Sequence, residues 1–204
     1  MNILSQNTTN MRITLFAASL LFLLGCDPKK DPDPNEKHDF SCVKIFDEQG
    51  VGLGLHGNCT TSNDWGNIAL TASEQAFLNF NDTVSLVGTL PTNILYLSAF
   101  PCPVVLNAGI QIAFARENPD HSVKLKIAIV DESLQVIQQS AVRIEASGLA
   151  LLIDPGKFQA GKYYRMYYRI SAEGAPSLFE GYGNFVVCKT HINGVTTTIE
   201  ADCM

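Results

Sequence analysis

The chain has 204 residues, with 14 Lys plus Arg against 20 Asp plus Glu, so its formal charge of −6 leaves no basic excess for nucleic-acid phosphates. Hydrophobic residues make up 46%, which excludes general disorder and suffices for a packed core in one or two domains. Nine Pro, fifteen Gly and many β-branched and aromatic residues favour strands and turns over helices.

In chain order, the first feature is an apolar run at residues 13–24 (ITLFAASLLFLL) behind a single cation, Arg12. At ~1.5 Å per residue these twelve positions span roughly 18 Å as a helix, short of the ~30 Å hydrocarbon core. The run reads as the apolar region of a signal peptide and not as a membrane-spanning helix. Residues 1–10 are uncharged, and Met11 is the better start.

The run ends in Leu23-Leu24-Gly25-Cys26, which resembles the lipobox of bacterial lipoproteins: apolar residues, a small residue, then Cys. The resemblance implies cleavage after Gly25 and a lipid on Cys26, hence a membrane anchor in the cell envelope. The thiol is the nucleophile that takes the diacylglyceryl group, and the small neighbour lets the peptidase approach. Residues 27–39 (DPKKDPDPNEKHD) contain three Pro and no large apolar side chain, so they are expected to form an extended, disordered tether of roughly 40 Å at ~3.1 Å per residue. Asp27 fits either retention at the inner membrane or export; the outer membrane or cell surface is the favoured location.

With Cys26 lipidated, Cys42, Cys59, Cys102, Cys188 and Cys203 remain. An oxidising envelope makes these disulfides rather than metal ligands. Five is odd, so at most two bridges form, and the pairing stays open. A hairpin through Asn193-Gly194 would set Cys188 opposite Ile199, too far from Cys203 for a 188–203 bridge.

Residues 40–92 are read as a small N-terminal subdomain or as extra strands on the following domain. Thr71-Ala72-Ser73-Glu74 is a capping box that predicts a short helix, and residues 42–46 and 83–87 read as strands. From residue 93 the strand signals are regular. Residues 94–100, 110–114, 123–129, 135–144, 149–153, 163–170 and 179–189 alternate or run apolar between polar turns. That pattern predicts an all-β antiparallel sandwich over 93–204.

Phe158-Gln159-Ala160-Gly161-Lys162-Tyr163-Tyr164 is similar to the lead-in to strand F of immunoglobulin-like and fibronectin type III-like domains, where those folds place a tyrosine corner. The resemblance covers about the last 110 residues. It departs from the antibody pattern, with no core Trp on strand C and no Cys on strand F. Parity selects Tyr164 as the corner: Met166, Tyr168 and Ile170 then face inward, leaving Arg165 and Arg169 in solvent, whereas the opposite register would bury both.

Several motifs are weighed for chemistry. Gly52-Leu53-Gly54-Leu55-His56-Gly57 matches G-x-G-x-x-G, but a loop sequence follows it, so it reads as a Gly-rich turn. His56-x-x-Cys59 has no second pair of ligands, and the four His are scattered. No G-x-S-x-G or HExxH occurs, and no carboxylate pair stands out, so neither an enzyme nor a bound cofactor or metal is expected. Asp82-Thr83-Val84 resembles a bacterial O-glycosylation acceptor.

The best candidate site is the outward stripe of strand F. Tyr163, Arg165, Tyr167 and Arg169 would project together as an exposed aromatic and cationic platform for a glycan or a protein. The resulting expectation is a membrane-anchored envelope lipoprotein with a non-catalytic binding or assembly role. Its alternatives are a glycan-binding module and a structural or adaptor subunit of an envelope complex.

Overall fold

The computed structural model describes residues 39–57, 64–145, 148–152, 154 and 156–189. Gly25, Cys26, tether residues 27–38, Cys59, Cys203 and the hairpin expected through Asn193 lie outside the described residues, while Asp39, the last tether residue, is described.

The described residues form ten strands and one helical turn, in order β1 (Val43–Phe46), β2 (Gly52–His56), α1 (Ala72–Ala76), β3 (Ile94–Phe100), β4 (Val104–Val105), β5 (Gly109–Arg116), β6 (Val123–Asp131), β7 (Val136–Ile144), β8 (Gly148–Leu152), β9 (Lys162–Ala172) and β10 (Ala175–Cys188). They form a five-stranded sheet β4-β10-β9-β6-β7, a three-stranded sheet β3-β5-β8 and a separate β1-β2 hairpin. Every pairing is antiparallel except β4 with β10, which is parallel. This is the two-sheet partition of an immunoglobulin-like sandwich, with β9 in the place of strand F.

The Pro101-Cys102-Pro103 segment carries the chain from the edge of one sheet to the edge of the other. Both X–Pro bonds in it are cis. Cys102 is fully buried there and pairs through its backbone with Phe46, which ties the β1-β2 hairpin to the sandwich.

Period-2 alternation explains the main core. Val123, Leu125, Ile127 and Ile129 of β6 meet Met166, Tyr168 and Ile170 of β9, and Leu97, Ile110, Ile112 and Phe114 of the opposing sheet. The other face of the five-stranded sheet is not left to water. Phe40, Leu70 and Leu78 pack on it against Ala128, Val130 and Tyr167 and make a second core. Phe40 and the segment around residues 70–78 therefore lie as a layer on the sandwich, and belong with it to one compact unit, His38–Met204.

Local chemistry fixes this layer. The capping box forms as expected: the Glu74 N–H donates to Thr71 Oγ1 at 3.3 Å and the Thr71 N–H to Glu74 Oε2 at 2.9 Å. The strand expected over residues 83–87 is absent. Asp82 instead accepts the Val84 N–H at 2.9 Å and ion-pairs with Lys124 at 2.6 Å and Lys126 at 3.1 Å, so side chains rather than a ladder hold this stretch. Burial works to raise the Asp82 pKa, but these hydrogen bonds prevail and hold its carboxyl below the usual range. The G-x-G-x-x-G stretch is strand β2, with Gly57 at φ +97° just beyond it.

Trp65 joins the main core from the layer. Its ring lies flat on Gly183 of β10 and stacks on Tyr168 at 6.1 Å, while its backbone N–H donates to the Tyr182 carbonyl at 2.9 Å. Ile68 N–H donates to the Glu180 carbonyl at 2.7 Å, so residues 65–68 cover an otherwise open edge of β10.

Candidate functional site

Strand β9 confirms the register drawn from parity. Tyr164, Met166, Tyr168 and Ile170 face the main core. The Tyr164 hydroxyl accepts the Gln159 N–H at 2.8 Å, and its ring meets Phe158 edge-on at 5.0 Å and Phe185 at 5.7 Å. The tyrosine corner is therefore in place, and it fixes the loop that leads into β9.

The outward stripe is aligned as expected, but it is not an exposed platform. Arg165 is 4% exposed and Tyr167 is fully buried, while Tyr163 and Arg169 are partly buried. The reason lies in the face they share: Ala128 and Val130 beside them are apolar, and covering that face with Phe40, Leu70, Phe77 and Leu78 removes the aromatic surface from water.

The Arg165 guanidinium is held within this cover by several partners. It lies over the Tyr182 ring at 4.2 Å and the Phe40 ring at 4.6 Å, and donates to Asn184 Oδ1 at 2.8 Å and the Asp39 carbonyl at 2.7 Å. Parity thus sent Arg165 to the correct side, but that side is not solvent. Tyr167 stacks on Phe77 at 5.1 Å with its hydroxyl directed at Glu74 Oε1, 3.5 Å away. Burial, reinforced by Glu74 against the opposing pull of Arg165, raises its pKa to about 12. Arg169 is spent on Glu180 at 2.9 Å.

Tyr163 is the member of the stripe that reaches a concavity. Its hydroxyl lies 3.3 Å from His56 Nε2, and burial, followed by the negative charge of Glu132, raises its pKa. The concavity is a cleft of about 180 Å³ at one end of the sandwich. Asp131 and Glu132 from the β6-β7 turn line it, together with Lys157 and Gln159 from the loop before β9, and Lys162 and Tyr163 of β9 itself. Asp131 Oδ1 accepts the Ser133 and Gln135 N–H groups, each at 2.9 Å, so this wall is rigid. The facing loop is held by the tyrosine corner and by Lys157 and Phe158 N–H groups donating to the Asp154 carbonyl at 2.9 and 3.0 Å.

The sequence reading took Asp131-Glu132-Ser133 as a turn only and missed this cleft. The available signal was the register that places Asp131 opposite Tyr164, beside the already suspected Tyr163. Among the described residues no group of three or more His, Cys, Asp or Glu could hold a metal ion. Cys102 is a free thiol, and Cys42 and Cys188 are disulfide-bonded. Thr83 is exposed, next to the partly buried Asp82 ion pairs.

No protein-family model matches the chain, and no curated protein matches it. Among solved structures, a glycosyl hydrolase family 2 member from Bacteroides cellulosilyticus DSM 14838 aligns at 15% identity and TM-score 0.33, over 47% of this chain and 15% of that one. CopC from Methylosinus trichosporium OB3b aligns at 19% identity and TM-score 0.33, over 50% of this chain and 98% of that one. At these scores neither carries a functional argument.

Proposed function

We propose that the protein is a lipid-anchored lipoprotein of the bacterial envelope, on the outer membrane or cell surface, whose β-sandwich has a non-catalytic binding or assembly role. The observation that carries this reading is the order of the first 39 residues: an apolar run too short to span a bilayer, a lipobox ending at Cys26, and a Pro-rich tether. No helix among the described residues is long and apolar enough to cross a membrane.

Assembly draws support from the outer face of the three-stranded sheet. Tyr96 and Leu152 are 54% and 65% exposed there, beside Ala113, Ala115 and Ala150. A glycan platform built on Arg165 and Tyr167 is no longer part of the reading, since both are covered.

The test is fractionation of the full-length chain and its Cys26→Ser variant. The wild type is expected in the detergent phase as a processed, lipid-bearing form, and the variant as an unprocessed precursor that lacks the lipid. A processed variant, or a wild type without lipid mass, would refute the reading.

A further inference from the structure

The cleft beside Tyr163 has an unusual charge arrangement. Its carboxylates, Asp131 and Glu132, sit on the β6-β7 turn, and its ammonium groups, Lys157 and Lys162, on the loop before β9 and the first residue of β9. The two sets come from different elements around one cleft, yet no ion pair joins them among the described residues, where the pairs are those of Asp82, Glu145 and Glu180.

The lack of pairing is specific to this end of the molecule. Of the other described cations, Lys189, two residues past the β10 position that pairs with Lys162, is likewise unpaired, and the rest are committed: Lys44 to the Asp64 carbonyl, Arg116 to three carbonyls, Lys124 and Lys126 to Asp82, Arg143 to the Val87 carbonyl, Arg165 to Asn184 and Arg169 to Glu180. Lys157 and Lys162 make no side-chain hydrogen bond or ion pair among the described residues. In a chain of charge −6, these cations are thus left beside carboxylates with no ion pair to either.

We propose that this cleft binds a small zwitterion of the amino-acid type, its ammonium group toward Asp131 and Glu132 and its carboxylate toward Lys157 and Lys162. The proposal deepens the binding half of the reading above and rests on it. A simple anion would satisfy the lysines and repel the carboxylates, and a simple cation would do the reverse. A neutral sugar would desolvate both walls without neutralising either. A zwitterion completes both at once.

Size points the same way. About 180 Å³ is below the ~300–1,000 Å³ typical of drug-sized ligands, so the occupant is a single small molecule or one terminal residue. The walls are preformed by the Asp131 turn and the tyrosine corner, so little ordering is needed on binding. Exposed ion pairs are individually weak, and the expected affinity is millimolar.

The experiment is a ligand-observed NMR titration of the full-length chain in detergent, with glycine and glutamine as zwitterions, N-acetylglycine and glycinamide as singly capped analogues, and glucose as a neutral probe. Both zwitterions are expected to bind saturably and both capped analogues at least about fivefold more weakly. Glu132→Gln and Lys162→Gln, each at an exposed position and checked for native circular dichroism, should each weaken the zwitterions by about fivefold. No saturable zwitterion binding to folded wild type would overturn the proposal. Capped analogues binding equally well, affinity unchanged in both variants, or preference for glucose would do the same. Fractionation reads only the anchor and the titration only the cleft, so the two failures are distinguishable.

Discussion

Replacing Gly183 by alanine is expected to destabilise the fold through one contact. A Cβ at this position would lie well inside the van der Waals envelope of Trp65 Cδ2 and Cε2, an overlap of roughly 1 Å or more against the ~3.5–4.0 Å that carbon atoms prefer. The indole has little room to yield. Tyr168 stacks on it at 6.1 Å, and the Trp65 backbone N–H is tied to the Tyr182 carbonyl at 2.9 Å. Overpacking of this kind costs about 1–3 kcal/mol. The upper limit is expulsion of the ring, about 3–5 kcal/mol, the penalty for removing a buried Trp outright.

The double-mutant cycle isolates the contact. Gly183→Ala should cost about 2–3 kcal/mol in the wild type and close to nothing in a Trp65→Ala background, where the ring is gone. Urea unfolding followed by far-UV circular dichroism reads all four corners. Trp65 is the single Trp of the chain, so a red-shifted native emission in Gly183→Ala would show the ring displaced. An equal cost in both backgrounds, or no cost in the wild type, would refute the packing argument.

Asp82→Asn should destabilise by about 2 kcal/mol, because Lys124 and Lys126 would keep their charge in a mostly buried site without a counter-ion. The Asp82 pKa is lower in the fold than its ordinary 3.8, so its contribution is complete above that value and is lost as pH falls through the folded pKa. Asp82→Asn should therefore show a shallower acid destabilisation than the wild type; parallel curves would contradict this. Cys102 should resist alkylation at pH 8 in the native protein and be labelled in denaturant, as read by peptide mass mapping. Its thiol is pushed by burial from 9.0 up to about 12, so it favours folding equally at all pH below 9.0. From there its contribution declines as pH rises toward 12; native labelling at pH 8 would refute the burial.

Much of the sandwich was legible because its inner face obeys a simple rule. Val123, Leu125, Ile127 and Ile129 alternate, and strand β3 occupies the very residues 94–100 that its apolar run marked. The outer face was misjudged for a specific reason. Alternation says which residues share a side, but not whether that side meets water. Lys124 and Lys126 suggested solvent, and they are instead spent on Asp82; the change to Ala128 and Val130 along the same side was the overlooked sign of a second layer. The strand expected at 83–87 failed because a local carboxylate offered its backbone a closer partner than any ladder. The cleft was invisible since its opposed charges come from two turns about 25–30 residues apart, joined only through the register of β6 and β9.

The covering layer also bears on the order in which the chain can become native. Arg165 and Asn184 hold the Asp39 carbonyl across 126 and 145 residues, and Asp64 accepts the Asn184 N–H across 120. Contacts this distant close late, because loop entropy must be met before they form. A segment delivered N-terminus first would therefore wait, with Phe40, Leu70 and Leu78 uncovered, until β6 and β9 arrive, and with Asp39 and Asp64 unbonded until Asn184 of β10 does. During that interval it is open to chaperones and to proteolysis. Truncation within β10 ahead of Asn184 should leave that early segment its apolar seat on β6 and β9 but without the Asn184 bonds that tie down Asp39 and Asp64.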